Sequence, residues 1–343
     1  MAPGPGCLGG IGVNGSAAAN RIAERADLVL CIGTRLTDFT TASVSLFEEP
    51  GVRFVGVNVS AADAHKLSAT PVVADARAAL EALLGRVGPV SPEYREAVAA
   101  ALRAWEADLA ADLRAGSDRG LTQGEVYATV NAAAGPGDWV VAAAGWAPGD
   151  LLKAWRVPEG SHAHLEFGYS CMGHEIPAAL GIRLHEGPGP EVFVVIGDGT
   201  YLMAPSELVT AAQYRAKLTV VVLDNGSYGS IDTLALTRTG ASVGNRFERR
   251  DGARVDVDYA ASGDSFGCRG VRVDDAAALT DALAEARAGD ATTVIHCPTV
   301  PGRPLLDSGA FWDLGVPEVA ADARTRALAE AHLGERARRQ RRF

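Results

Sequence analysis

No stretch of this chain approaches the roughly twenty consecutive apolar residues that a membrane-spanning helix needs, and its glycine- and proline-rich start has no basic region followed by an apolar run. Neither a spanning segment nor a secretory leader is expected. Cysteine supplies no framework either: Cys7, Cys31, Cys171, Cys268 and Cys297 are odd in number, far apart and without a CxxC pair. Reduced thiols in a cytoplasmic setting are the expectation, with no cysteine-based metal cluster. Surplus positive charge is missing too. A formal net charge of −10 disfavours a nucleic-acid partner, and the one basic block, residues 334–343, reads as a solvated terminal tail, with docking on an acidic partner as the other reading. What the 343 residues do have is a hydrophobic fraction of 48% beside 22% charged residues. That balance describes a soluble globular protein with room for two domains and a real core.

Helical and extended patterns alternate. Residues 16–26 read as an alanine-rich helix, 27–33 as a buried strand ending at Gly33, 52–58 as a second strand, and 76–87 as a helix capped by Asp75. Residues 91–115, apolar at Leu102, Trp105, Leu109 and Leu113, read as a connecting helix. From Leu121 the alternation restarts with a strand at 138–143, a helix beginning near Pro148 and a helix at 172–184. A strand, helix and strand follow over 191–225, then a helix at 276–288 and a strand at 292–297. The pattern predicts an α/β protein: a partial doubly wound domain over 1–87, a linker helix over 88–118, a doubly wound parallel-sheet domain over 119–320 and a basic helical tail over 321–343.

Two of the apolar runs stop on polar residues that matter, the first at Asp198 and the second at Asn225. Parallel strands joined by a right-handed crossover end side by side, at the carboxyl edge where open α/β sheets bind ligands. A carboxylate and an amide oxygen meeting there suit Mg²⁺, which takes oxygen ligands and usually shares them with a phosphate. Gly197-Asp198-Gly199 alone also reads as an ordinary turn; the second strand end favours the metal. The strand-to-helix turn at Gly145 and Trp146 fits an anion held by backbone N–H groups, and equally a glycine turn that caps a helix. Met172 by itself reads as core filler. His174, His162 and His164 are candidates for proton transfer near neutral pH, against the commoner solvated or structural histidine. His174 ranks first because it lies beside Met172.

Gly197-Asp198-Gly199, then 24 residues, then Asp224-Asn225 resembles the GDG…NN signature of thiamine-diphosphate enzymes, with Asp224 where the family has its first Asn. The resemblance implies thiamine diphosphate and Mg²⁺ as cofactors. It implies Asp198, Asn225 and the backbone carbonyl of Ser227 as metal ligands, Gly197, Gly199 and Thr200 at the diphosphate, and Gly145 and Trp146 at the terminal phosphate. Residues 167–181 resemble the family's loop ahead of a small-residue helix. By that likeness Met172 props the cofactor in a bent form and the Ser170 carbonyl accepts from the aminopyrimidine. A wedge between the two rings holds the reacting carbon within proton-transfer reach of the imino nitrogen.

Beyond the cofactor motif, residues 10–20, 33–41, 169–173, 199–207 and 311–318 resemble the trihydroxycyclohexanedione hydrolases of myo-inositol breakdown. That likeness implies hydrolytic C–C ring opening of a cyclic polyhydroxy diketone to 5-deoxyglucuronate, with the cofactor taking the electrons and the protein positioning the substrate. It also implies a homo-oligomer, with cofactor between domains of two subunits. Relatives carry an N-terminal pyrimidine-binding domain whose glutamate activates the cofactor, whereas Met1 enters midway through what resembles the central domain. The expectation is that the activating glutamate is absent here, that a complementing pyrimidine-domain chain exists or the reading frame is truncated, and that the isolated chain turns over negligibly. An uncovered sheet surface predicts poor solubility. Two other classes stay open: an acetolactate-synthase-like carboligase or decarboxylase subunit, and a non-catalytic assembly subunit.

Overall fold

The computed structural model describes residues 6–156, 159–166, 168–302, 304–317 and 319–340; Met1, Phe167, Glu318 and the last three residues of the basic block lie outside them. The chain divides into two compact units, one over 109–306 and the other over 3–108 together with 307–343.

In the discontinuous unit, helix α1 (Ala17–Glu24) starts where the Ser16 hydroxyl accepts the Ala19 N–H. Strand β1 (Leu28–Ile32), the short helix α2 (Asp38–Thr41), β2 (Arg53–Asn58), α3 (Ala61–Ala64), β3 (Thr70–Val73) and α4 (Ala76–Leu83) follow. Asp75 caps α4 by accepting from the N–H groups of Arg77 and Ala78. The three strands are parallel in the order β1-β2-β3. Gly56 in β2 has to be glycine because a Cβ there would lie 2.2 Å from the Ala64 carbonyl oxygen of α3. One face of the sheet packs Cys31 and Phe54 against Ala42, Leu46 and Phe47. On β1 the alternate positions Leu28 and Leu30 are exposed, as the period of two requires when one face is uncovered.

Residues 307–343 belong to this unit. The Trp312 indole N–H donates to Asp38 at 2.9 Å and the Asp313 N–H to the Ser43 hydroxyl at 2.8 Å. The C-terminal helix (Ala323–Arg339) then folds back, with His332 Nε2 at 2.7 Å and Arg336 Nε at 3.4 Å from the Asp313 carboxylate. The C-terminal helix is anchored ahead of the basic block: Thr325 and His332 are buried, and a carboxylate nineteen residues upstream of His332 collects the helix's polar side chains, while the described residues of the block, 334–340, are exposed or half-buried.

A long helix, α5 (Pro92–Arg114), leads to the continuous unit. There α6 (Gln123–Ala133) opens with a reciprocal capping box between Thr122 and Glu125. The order continues β4 (Trp139–Ala142), α7 (Trp146–Ala154), β5 (His162–Leu165), α8 (Glu175–Glu186), β6 (Val192–Gly197), α9 (Asp198–Tyr201), α10 (Glu207–Gln213), β7 (Thr219–Asp224) and α11 (Gly229–Thr239). It closes with α12 (Tyr259–Ser265), β8 (Arg269–Arg272), α13 (Ala276–Ala288) and β9 (Thr293–Pro298), and the C-terminal helix is α14. All six strands are parallel, in the order β5-β4-β6-β7-β9-β8. Every residue of β7 and all but the last of β6 are buried, which is why both read as unbroken apolar runs. Val192, Val194 and Ile196 pack with residues of α8, α10 and α12. Their neighbours Phe193 and Val195 point to the opposite face, and the sheet is a doubly wound one.

The register decides where chemistry sits. Gly197 of β6 pairs with Leu223 of β7, so Asp198 leaves its strand level with Asp224, one residue before Asn225.

Candidate functional site

Asp198 is buried, and its carboxylate ties the two strand tips together. Oδ1 accepts the Gly199 N–H at 2.8 Å, while Oδ2 accepts the N–H groups of Gly226 at 2.6 Å and Ser227 at 3.2 Å. The Ser227 hydroxyl donates to Asn225 Oδ1 at 2.7 Å. The two expected metal-ligating side chains thus meet on one residue, Ser227, which gives its N–H to Asp198 and its hydroxyl to Asn225. The Tyr228 N–H goes to the Asn245 carbonyl and the Phe247 N–H to the Gly226 carbonyl, which leaves the Ser227 N–H turned towards Asp198.

Burial, and then the charge of Asp224, raises the Asp198 carboxyl above the usual carboxylate range. Burial acts the same way on Asp224, but the hydrogen bond from His296 at 2.9 Å and the Arg254 guanidinium at 2.7 Å outweigh it and hold that carboxyl low. Among the described residues Asp224 takes the cationic partners, whereas Asp198 has backbone N–H donors and a side-chain hydrogen bond with Asp224. A buried carboxylate without a counter-ion is costly, and a divalent cation at the tip would supply the missing charge. The available donors are oxygens, the set that Mg²⁺ takes. Among the described residues no three His, Cys, Asp or Glu side chains gather as a metal cluster.

The remaining candidates lie around this tip. Gly199 spends its N–H on Asp198, and a Cβ on it would lie 2.6 Å from the Tyr228 ring. A Cβ on Gly197 would meet only Thr200 Cγ2, at 3.9 Å. Gly145, at φ +80°, is the exposed N-cap of α7 and provides no side-chain cap, so the first N–H groups of that helix face outward without one. Trp146, the first residue of α7, and Asn225 both close on Gly229: a Cβ there would lie 3.0 Å from the Trp146 ring and 3.0 Å from Asn225 Nδ2. The loop before α8 is held by Glu166, whose carboxylate accepts the N–H groups of Tyr169 at 2.8 Å and Cys171 at 3.2 Å. Ser170 takes a left-handed conformation, φ +57°, and its hydroxyl reaches the Ala143 carbonyl at 3.3 Å. Met172 is 38% exposed rather than packed in the core, a placement that core filling does not explain.

Of the three candidate histidines, two pair and the third lies apart. His164 on β5 and His174 before α8 bring their Nε2 atoms to 2.9 Å. Such a contact needs one ring to donate its Nε2–H and the other to accept at a bare Nε2. His162 stacks on Trp139 with ring centroids 4.2 Å apart, at the amino-terminal end of β5 and away from the strand tips. Glu175 was not singled out at all. It is buried beside Thr200 and Ala144, and the only signal for it was its place directly after His174.

Residues 143–297 match the thiamine pyrophosphate enzyme C-terminal TPP binding domain and residues 4–83 the thiamine pyrophosphate enzyme central domain. A 3D-(3,5/4)-trihydroxycyclohexane-1,2-dione hydrolase of Halalkalibacterium halodurans is 37% identical over 340 residues, covering 91% of this chain and 53% of that protein. A Bacillus cereus protein named as hydrolase 2 of the same type is 38% identical over 361 residues, 95% of this chain and 56% of its own length. The chain spans about half the length of the curated relatives it matches.

Proposed function

This chain belongs to the thiamine pyrophosphate enzymes, and from that premise we propose that it supplies the diphosphate- and Mg²⁺-binding part of a hydrolase that opens a cyclic polyhydroxy diketone by C–C cleavage, as in inositol catabolism. The single observation that carries the cofactor part is the Asp198 carboxylate bonded across to Gly226 and Ser227. The names of the relatives support the substrate class. The remaining length of those relatives points to a pyrimidine-binding domain, on a second chain or elsewhere on the same one, that completes the site.

When bound, thiamine diphosphate supplies a carbon nucleophile and an electron sink for breaking a bond next to a carbonyl. Asp198, Asn225 and the Ser227 carbonyl hold Mg²⁺; Gly145, Trp146, Gly197, Gly199 and Thr200 form the cradle for the phosphates around it. Ser170 and Met172, on a loop fixed by Glu166, orient the ring system. His174 hands a proton to the substrate side and recovers one through His164, whose Nε2 lies 2.9 Å from its own.

Titrating the purified chain with thiamine diphosphate in the presence and absence of Mg²⁺ tests the assignment. Binding should require the metal, and Asp198→Asn should weaken it at least about tenfold, the scale on which metal-site substitutions act. With the complementing domain added, the cyclic dione should be hydrolysed, pyruvate should not be consumed, and His164→Gln and His174→Gln should each lower kcat. Metal-independent binding would sink the assignment.

A further inference from the structure

A buried carboxylate that none of the expected roles uses lies behind the site. Glu175, in the first turn of α8, is 1% exposed. Its Oε1 accepts the Ala144 N–H at 3.1 Å, and both its oxygens lie within 3.1 Å of the Thr200 hydroxyl. That hydroxyl in turn accepts the Gly173 N–H at 2.8 Å. Three separate chain segments meet here: the tip of β4 just ahead of Gly145, the turn after Asp198, and the loop that carries Met172. Each is proposed above to touch a different part of the same cofactor.

We propose that Glu175 is a positioning residue that clasps these three segments into one cofactor cradle, acting through Thr200. The inference rests on the cofactor reading given above and goes beyond it. A hydroxyl has one proton to give, and Thr200 gives it to Glu175 while its oxygen accepts from Gly173. Thr200 therefore faces the phosphates with its backbone, and its side chain works inward as a link. The Ala144 N–H and the Gly173 N–H both lie in buried or half-buried surroundings, where an unpartnered donor is costly. Breaking the clasp leaves those donors without acceptors and lets the Met172 loop and the Gly145 turn move independently of the metal tip.

The test uses the full chain and two readouts. Hydrogen exchange of the free chain should speed up at residues 143–146 and 171–175 in Glu175→Leu and in Thr200→Val. Affinity for Mg²⁺–thiamine diphosphate, measured well below each variant's unfolding temperature, should fall by about tenfold, the equivalent of one hydrogen bond lost in a buried place. The double variant should lose clearly less than the product of the two single losses, since the Glu175–Thr200 link is common to both while the Ala144 and Gly173 contacts are not. Glu175→Gln keeps an acceptor for Ala144 and a partner for Thr200, and should restore affinity to within about threefold of the native chain. Native affinity in Glu175→Leu, or losses that multiply in the double variant, would overturn the clasp alone. A native chain that binds no Mg²⁺–thiamine diphosphate would overturn the cofactor reading and the clasp with it.

Discussion

At the scale of single residues, burial decides how carboxylates behave. Asp150, fully buried in α7, is pushed up to about 6 by desolvation, against the pull of Lys153 at 3.6 Å and the Leu305 N–H at 3.2 Å. The folded chain therefore binds this proton near pH 6, whereas the unfolded chain binds it near the ordinary 3.8. Stability from this group is present below 3.8 and is lost as pH rises through 6. Asp150→Asn removes that dependence. Acidification from pH 6 to about 4 should therefore stabilise the native chain by roughly 1–3 kcal/mol more than the variant in urea titrations. Equal pH slopes in the two proteins would contradict the assignment. The residues most legible in the sequence were those set by local spacing, Asp198 and Asn225 at two strand ends. Illegible were the ones set by tertiary approach: Asp224 finds Arg254 and His296 at 30 and 72 residues' remove, and Glu175 finds Thr200 25 residues on.

Elements follow a similar division. The central strands β4, β6, β7 and β9 stand out as apolar runs, because a strand buried on both faces has no polar alternation. The strands that escaped notice, β3, β5 and β8, all lie at sheet edges. Their sequences are TPVV, HAHL and RGVR, with the proline and charges that blunt an edge and also hide it from a hydrophobicity pattern. Helix starts were more legible where an Asp caps them, as at Asp75 and Asp275. The helix placed near Pro148 begins instead at Trp146, since Gly145 at φ +80° makes the turn into it. The join between α9 and the segment after β7 is tight: the Tyr228 ring lies against Gly199 and is itself held edge-on by Phe247, with centroids 5.2 Å apart. Gly199→Ala puts a methyl group 2.6 Å from Tyr228 Cδ1, and the clamped ring cannot yield freely. A loss of about 1–3 kcal/mol in stability is expected from such overpacking, together with an altered Tyr228 environment in near-ultraviolet circular dichroism. Unchanged stability would mean that the ring gives way.

For the molecule as a whole, the segments that look most like the hydrolase family serve the scaffold as much as the site. Residues 33–41 and 311–317 meet through the Asp38–Trp312 hydrogen bond and the Phe39–Trp312 ring contact, with centroids 5.0 Å apart. In the segment 10–20, Asn20 is bonded to Gly12 at both its N–H and its carbonyl, and also to the Ser308 carbonyl. Both contacts join the chain's beginning to its end within one compact unit, and no local sequence pattern announces such closure. Asp313 is the knot of that arrangement, collecting His332, Arg336 and Gln340. Asp313→Ala should loosen α14 by about 1–3 kcal/mol, because it takes the carboxylate away from the buried His332 ring nitrogen. Hydrogen exchange should then rise across 323–339 and around 38–47 while β6 and β7 stay protected. An increase confined to 323–339 would show that the C-terminal segment only rests on the unit and does not stabilise it.

The Asp198 staple has one more property. Its acceptors close on main-chain amides at Gly226 and Ser227, so no particular side chain in that turn is needed to keep the strand tips joined. Swapping the side chain of Ser227 would be tolerated far better than lengthening the turn: a single inserted amino acid would shift every amide out of step, whereas Gly226, at φ +71° with a Cβ that would lie 3.0 Å from the Arg254 guanidinium, has to keep its place as glycine.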